Sequence, residues 1–242
     1  ALKQYQTCEQ ILRKELGVDP QPETRALYKQ IRKGEFKPSQ PAKEKEAAEP
    51  QHNLPFQLST FIGRENELNE ITNLITDHRL VTLVGTGGIG KTRLSLKMGE
   101  QLLNKYVNGV WFVELAPLSD PARVPQTVAA LFNLVEGSEE SLTEKMIRVL
   151  RTKSILLILD NCEHLLDASA QLADTLLQNC PDLKILATSR EALGITGEAQ
   201  YHVPSLGLPD IQQVLEKLLE YESLQLFEQR ARLIQENFSL TL

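Results

Sequence analysis

Three cysteines are all that the 242 residues contain, and Cys8, Cys162 and Cys180 stand too far apart for a metal-ligand spacing. An odd, scattered set implies no disulfide framework, and reduced thiols in a cytosolic protein fit it best. No apolar run approaches the length of a membrane span, and no signal-peptide pattern precedes the first helical pattern. Excess positive charge is missing too: the formal net charge is −6, which argues against a uniformly basic nucleic-acid-binding surface. Any DNA contact would come from a local patch or from sequence outside this chain. No internal repeat and no Ser-His-Asp arrangement can be read. Ala1 already lies inside a helical pattern, so the chain is expected to be a segment cut from a longer protein.

What is present is enough for a core. Hydrophobic residues make up 41% and charged residues 24%, which suits one α/β domain of ordinary size plus appendages. The chain is organised around Gly85-Thr86-Gly87-Gly88-Ile89-Gly90-Lys91-Thr92. An apolar run, Leu80-Val81-Thr82-Leu83-Val84, leads into it, and an amphipathic helical pattern follows it. That order of strand, glycine-rich loop and helix fits the phosphate-cradling pattern G-x-x-x-x-G-K-[ST]. Glycines let the backbone turn its N–H groups inward, and the helix start aims its positive dipole end at the same point. Lys91 supplies an ammonium for the outer phosphates and Thr92 a hydroxyl for Mg²⁺; Arg93 follows them as a further nucleotide-binding candidate.

Upstream, residues 1–33 read as a helical hairpin. Tyr5, Cys8, Ile11, Leu12 and Leu16 recur at helical spacing, Gly17 ends the first helix, and a second begins near Pro22 with Leu27, Tyr28 and Ile31 on one face. Its basic residues interleave with Glu9, Glu15 and Glu23, which suits a solvated face better than a phosphate site. Residues 34–57, with four prolines among Lys, Glu, Gln and Ala, carry too little apolar surface for a core and read as a flexible or extended linker.

The main domain is expected over 58–208. A helix follows Phe61-Ile62-Gly63-Arg64-Glu65, bearing Leu68, Ile71, Leu74 and Ile75. After the phosphate loop come strands at 110–115, 154–159 and 183–188, and a fifth at 200–203. Between them, Asp120-Pro121 reads as an N-cap with proline at the first helical position, and Ser141 with Glu144 as a capping box. Uninterrupted apolar strands imply burial on both faces, so the expected fold is α/β: a doubly wound parallel sheet with helices on both faces and its binding crevice at the carboxyl ends of the strands. Trp111 and Phe112 are expected in its core. Residues 210–236 are again helical, with Leu215, Leu218, Leu219, Leu224, Leu226, Phe227, Ala231 and Leu233.

Chemistry-bearing groups fall at strand ends. Asp160 follows the third strand and can hold Mg²⁺ beside Thr92 or cap the helix that follows; the phosphate loop upstream favours the metal. Asn161 stands next, where many hydrolysing enzymes of this type carry a second acid, and an amide cannot take the proton. Glu163 could substitute or could cap the helix. Slow hydrolysis and a long-lived nucleotide state are therefore expected. Arg190, at the end of the fourth strand, points into the crevice and can report on a γ-phosphate, against a surface ion pair with Glu191. His164 next to Cys162 reads as a packed or capping histidine, not a metal ligand.

Together the phosphate loop, Leu157-Ile158-Leu159-Asp160-Asn161-Cys162-Glu163-His164 and Ala187-Thr188-Ser189-Arg190-Glu191 resemble the NB-ARC P-loop switch of STAND-class ATPases, in the subgroup found in SARP-type bacterial transcriptional regulators. Phe61-Ile62-Gly63-Arg64-Glu65 is similar to that family's hhGRE motif, and Leu206-Gly207-Leu208-Pro209 to its GLPL-like motif. Residues 1–33 resemble the end of the TPR-like bacterial transcriptional activation domain. The resemblance implies that residues 61–64 border adenine and ribose, that Pro209 packs on the base, and that 209–242 begin a helical subdomain. It further implies ATP and ADP with Mg²⁺ as ligands, the parent's other domains as partners, a nucleotide-dependent oligomer as an option, and DNA contact only through domains outside this chain. A turnover NTPase or small-molecule kinase on the same fold, and a helical docking module with a degenerate nucleotide site, are the competing expectations.

Overall fold

The computed structural model describes residues 14, 19–20, 22–33, 51–137, 140–207 and 221–238. The expected first helix with Tyr5, Cys8, Ile11, Leu12 and Leu16, the Leu208-Pro209 pair, and Leu215, Leu218 and Leu219 lie outside the described residues. The chain divides into two units, residues 1–48 and 49–242.

In the first unit, α1 spans Pro22–Lys33. It starts on proline, whose missing N–H would have had no helical partner there. Lys29, Arg32 and Lys33 are exposed, and Arg25 pairs with Asp19 at 2.5 Å. Both partners are half exposed, so the pair contributes at most about 1 kcal/mol.

The second unit is built on five parallel strands, β1 (Leu80–Val84), β2 (Val110–Glu114), β3 (Ile155–Asp160), β4 (Leu183–Ser189) and β5 (Glu198–His202), in the spatial order β2-β3-β4-β1-β5. Helices α2 (Glu65–Asp77) and α3 (Lys91–Leu102) cover one face; α4 (Arg123–Ala130), α5 (Leu142–Leu150) and α6 (Leu166–Asn179) cover the other. A last helix, α7 (Glu222–Ile234), follows β5. Strand side chains alternate between faces. Ile155, Leu157 and Leu159 of β3 therefore pack with Val128, Met146 and Leu176, while Leu156 and Ile158 pack with Ile71, Leu94 and Met98. Both faces of β1, β3 and β4 are largely buried, which is why those strands are mostly apolar.

Edge strands are different. Trp111 and Phe112 are half-buried on β2, and Trp111 meets Phe132 edge-on with ring centroids 5.5 Å apart. Their expected core position thus becomes a rim position, because β2 has a neighbour on one side only. Its other side is covered by residues 51–53, from the stretch whose composition reads as a linker. The Val110 N–H donates to Gln51 O at 3.1 Å, and the Asn53 side chain bonds both the Phe112 N–H and Phe112 O, at 2.6 and 2.8 Å. Gly109 permits this approach: at φ 103°, a Cβ there would lie 2.3 Å from Gln51 O.

Ser141 and Glu144 form the full capping box. Asp120 does not cap a helix: its carboxylate accepts the Ala122 N–H at 3.0 Å in a turn, and α4 begins two residues after Pro121. No helix among the described residues is long and apolar enough to cross a membrane.

Cys162 and Cys180 are buried, and burial raises both thiols, Cys162 to about 12. The thiolate is the reactive form. In the native protein at pH 8 neither should be alkylated by a maleimide, and both should be after denaturation, as peptide mass spectrometry would read.

Candidate functional site

The loop between β1 and α3 lies beside the ends of β4 and β5, where the Gly85 N–H donates to Ser189 O at 3.3 Å and Gly85 faces Val203. Gly88 and Gly90 take left-handed backbone, φ 78° and 99°. Gly90 is the N-cap of α3, whose first hydrogen bond runs from the Leu94 N–H to Gly90 O at 2.9 Å. The N–H groups before it have no helical acceptor and sit at the positive end of the helix dipole. Lys91 is buried to 8% exposure, and its ammonium donates to Gly85 O at 2.7 Å and Thr86 O at 3.2 Å. The cation is thus held over the loop by the backbone that surrounds it.

Asp160 closes the opposite side. Its strand is separated from β1 by β4, and β3, β4 and α3 meet at its carboxylate. Oδ2 accepts the Thr92 hydroxyl at 3.0 Å, and Oδ1 accepts the Thr188 hydroxyl at 2.7 Å. The Thr188 oxygen in turn accepts the Asn161 N–H at 2.9 Å. Asp160 caps no helix: α6 starts at Leu166 with no side-chain cap. Burial raises the Asp160 pKa above the ordinary carboxylate value, with the two hydroxyl bonds and Lys91 opposing and Glu163 adding to the rise. A carboxylate and a hydroxyl at this spacing are the hard oxygen donors Mg²⁺ takes when phosphates and water complete its shell. The residues fit that ion. Among the described residues no group of three His, Cys, Asp or Glu offers a closed metal cage.

The segment after Asp160 is firmly placed. Asn161 takes left-handed backbone at φ 66° and begins a 3-10 turn, Cys162–His164. The His164 ring, through Nε2, lies 3.1 Å from Leu115 O and 2.9 Å from Leu118 O, tying this turn to the loop after β2. It is a packed histidine. Glu163 does not cap α6 either. Its Oε1 accepts the Arg190 Nε–H at 3.2 Å, while Oε2 is buried with no protein partner. An unmade bond of that kind costs about 1–3 kcal/mol. Arg190 therefore pairs with Glu163, not with Glu191. Its guanidinium also reaches the loop, 3.6 Å from where a Cβ on Gly87 would sit.

On the other side of the loop, Gly63 and Arg64 take consecutive left-handed conformations ahead of α2. Arg64 is buried; Nη2 donates to Ile89 O at 2.9 Å and Pro204 O at 3.1 Å, and Nη1 has no protein partner. The Arg64 N–H donates to Glu222 of α7 at 2.9 Å, and a Cβ on Gly63 would lie 2.1 Å from the same carboxylate. Arg93 sits in the first turn of α3. Its guanidinium binds Gln57 Oε1, Ser59 O and Thr60 O at 2.5–3.2 Å, so its direct role is to anchor the segment before α2.

Two cavities flank the loop. One of about 390 Å³ lies between Phe61, Ile62, Arg64, Leu206 and, from α7, Leu226 and Arg230. The other, about 360 Å³, is polar and holds Lys91, Thr92, Asn161, Glu163, Thr188 and Arg190. Both are lined by Gly88, Gly90 and Arg93. An apolar slot beside a polar one suits a flat base joined to a charged tail. Pro209 lies outside the described residues. The hydroxyl of Thr188 and the approach of α7 went unread in the sequence; a threonine at a strand end has no distinguishing pattern, and helical periodicity does not say what a helix leans on.

Residues 75–200 match the family described as AAA domain, and residues 1–32 match the bacterial transcriptional activator domain. An uncharacterized Mycobacterium tuberculosis protein is 37% identical over 190 residues, 78% of this chain and 46% of its own length. A second M. tuberculosis protein, named as an HTH-type transcriptional regulator, is 40% identical over 167 residues, 69% of this chain and 18% of its own. The chain thus spans less than half the length of these curated relatives. The crystal structure of a STAND protein with a tetratricopeptide repeat sensor from Pyrococcus horikoshii superposes with a TM-score of 0.51 at 18% identity, over 77% of this chain and 27% of that one. That likeness concerns the fold.

The raised Asp160 pKa carries a sign for stability. The folded chain keeps the Asp160 proton to higher pH than the unfolded chain, so the charged carboxylate costs stability once pH rises past about 4. Without nucleotide or Mg²⁺, Asp160→Asn should melt above the wild type at pH 7.5, with the gap closing towards pH 4. Thermal unfolding across pH would check it.

Proposed function

We propose, for a chain that belongs to the AAA domain family, the role of a nucleotide-dependent switch that binds ATP and ADP with Mg²⁺. The observation that carries this reading is the Thr92–Asp160 hydrogen bond at 3.0 Å across the loop mouth from Lys91. Loop amides and Lys91 hold the phosphates, and Thr92 with Asp160 holds Mg²⁺, which supplies charge neutralisation between the phosphates. Phe61, Ile62, Gly63 and Arg64 border the base and ribose, with Pro209 packing on the base as the family resemblance implies. Arg190 answers to the γ-phosphate.

A switch needs two arrangements that the two nucleotides favour unequally. Contact between α7 and the base-side cavity, through Glu222, Leu226 and Arg230, supports a coupling of nucleotide to the helical appendage. Asn161, beside Asp160, supports slow hydrolysis, since its amide accepts no proton. The match of residues 1–32 to a transcriptional activator domain supports a parent protein that regulates transcription in the cytoplasm, with DNA contact made by domains outside this chain.

Titration calorimetry tests the reading. Wild-type protein should bind Mg²⁺ with ADP or a non-hydrolysable ATP analogue. Lys91→Ala removes charge-assisted bonds of about 1.5–3 kcal/mol each and should weaken binding tenfold or more. Unchanged affinity in Lys91→Ala, or turnover of many ATP per second in the wild type, would count against it.

A further inference from the structure

Glu163 is a carboxylate in an unusual position. Its side chain is 15% exposed, it lines the polar cavity together with Lys91 and Thr92, and one of its oxygens is buried with no partner among the described residues. The turn that carries it is anchored at three points: the Asn161 N–H on Thr188, the Cys162 side chain in the core, and the His164 ring on the Leu115 and Leu118 carbonyls. A carboxylate held this firmly with an open acceptor suits a group that must receive a proton at a fixed point. Its partner among the described residues, Arg190, is 67% exposed, pairs with Glu163 and lines the same cavity as Gly87, Gly88 and Lys91 of the phosphate loop.

On the nucleotide-switch reading, we propose that the Glu163–Arg190 pair is a latch on the water-activating base. With ADP or no nucleotide, Arg190 occupies Glu163 and keeps it from serving as base. A terminal phosphate competes for the same guanidinium, offering more charge and two oxygens for parallel hydrogen bonds. An exposed ion pair is a weak competitor. Once Arg190 turns to that phosphate, Glu163 orients and deprotonates the attacking water. The water oxygen bonds to the γ-phosphorus, the bond from that phosphorus to the bridging oxygen breaks, its electron pair leaves on the β-phosphate of ADP, and the proton passes to the Glu163 carboxylate. Asn161 cannot take this part, and its backbone N–H is already committed to Thr188.

The test measures affinity and chemistry separately on the full chain: calorimetry with ADP and with a non-hydrolysable ATP analogue, and single-turnover phosphate release from ATP, all with Mg²⁺. Glu163→Gln should slow release by about tenfold or more. Its freed Arg190 should also shift the analogue-to-ADP affinity ratio towards the analogue by about threefold, the scale of an exposed ion pair. Glu163→Asp, which keeps a carboxylate but shortens its reach to Arg190, should shift the ratio in the same direction and release phosphate faster than Glu163→Gln; it also serves if Glu163→Gln fails to fold. Arg190→Ala should lose preference for the analogue while holding ADP as before. A wild-type release rate in Glu163→Gln, or slowed release with an unchanged affinity ratio, overturns the latch. A wild-type protein that binds neither nucleotide overturns the switch reading itself, and the latch with it.

Discussion

The carboxylate of Asp160 is the point at which the structure is drawn together. It receives one hydroxyl from Thr92 at the start of α3 and another from Thr188 at the end of β4, while sitting at the end of β3. Those bonds set the depth of the phosphate loop relative to the strand ends. They also compensate in part for burying a charge, which otherwise raises its pKa. A carboxylate placed there for packing alone would be a poor choice. Its cost is understandable where a divalent cation and a polyphosphate are to be held.

Around that centre, arginines tie separate pieces of chain to the loop. Arg64 bridges the loop carbonyl of Ile89 to Pro204 after β5, Arg93 ties the segment at 57–60 to α3, and Arg190 joins the end of β4 to Glu163. Each guanidinium spans elements distant in sequence, which a planar fork of donors does better than an ammonium. Through these bonds the loop and the start of α3 are tied to the segment at 57–60 and to the chain leaving β5. Glu222, bonded to the Arg64 N–H and packed where Gly63 has no side chain, extends that connection to α7.

Much was legible before any coordinates. The five strands, their parallel burial, the loop, the Ser141 capping box and the placement of Lys91, Thr92 and Asp160 follow from patterns local enough to read: period two, period 3.6, and a glycine spacing with one mechanism behind it. Errors arose where a local signal had a non-local competitor. Asp120-Pro121 looked like a helix start, but its carboxylate closed a turn instead. Arg93, a nucleotide-binding candidate by its place after Thr92, lines both cavities beside the loop, and three acceptors at 57–60 hold its guanidinium. Trp111 and Phe112 looked like core and became rim, because strand order decides which strands have two neighbours.

By itself, then, the sequence determined the parallel α/β class, the phosphate loop with its lysine and threonine, and the strand that ends in Asp160, since each depends on residues within a few positions of one another. Only the tertiary structure decided that β4 would lie between β1 and β3, that Thr188 would steady Asp160, that Arg190 would choose Glu163 over its neighbour Glu191, and that α7 would line the cavity beside Arg64. Those outcomes are contests between partners 27 to 158 residues apart. They are settled by which strand ends the sheet brings side by side, a property of the assembled layers that periodicity along one chain does not encode.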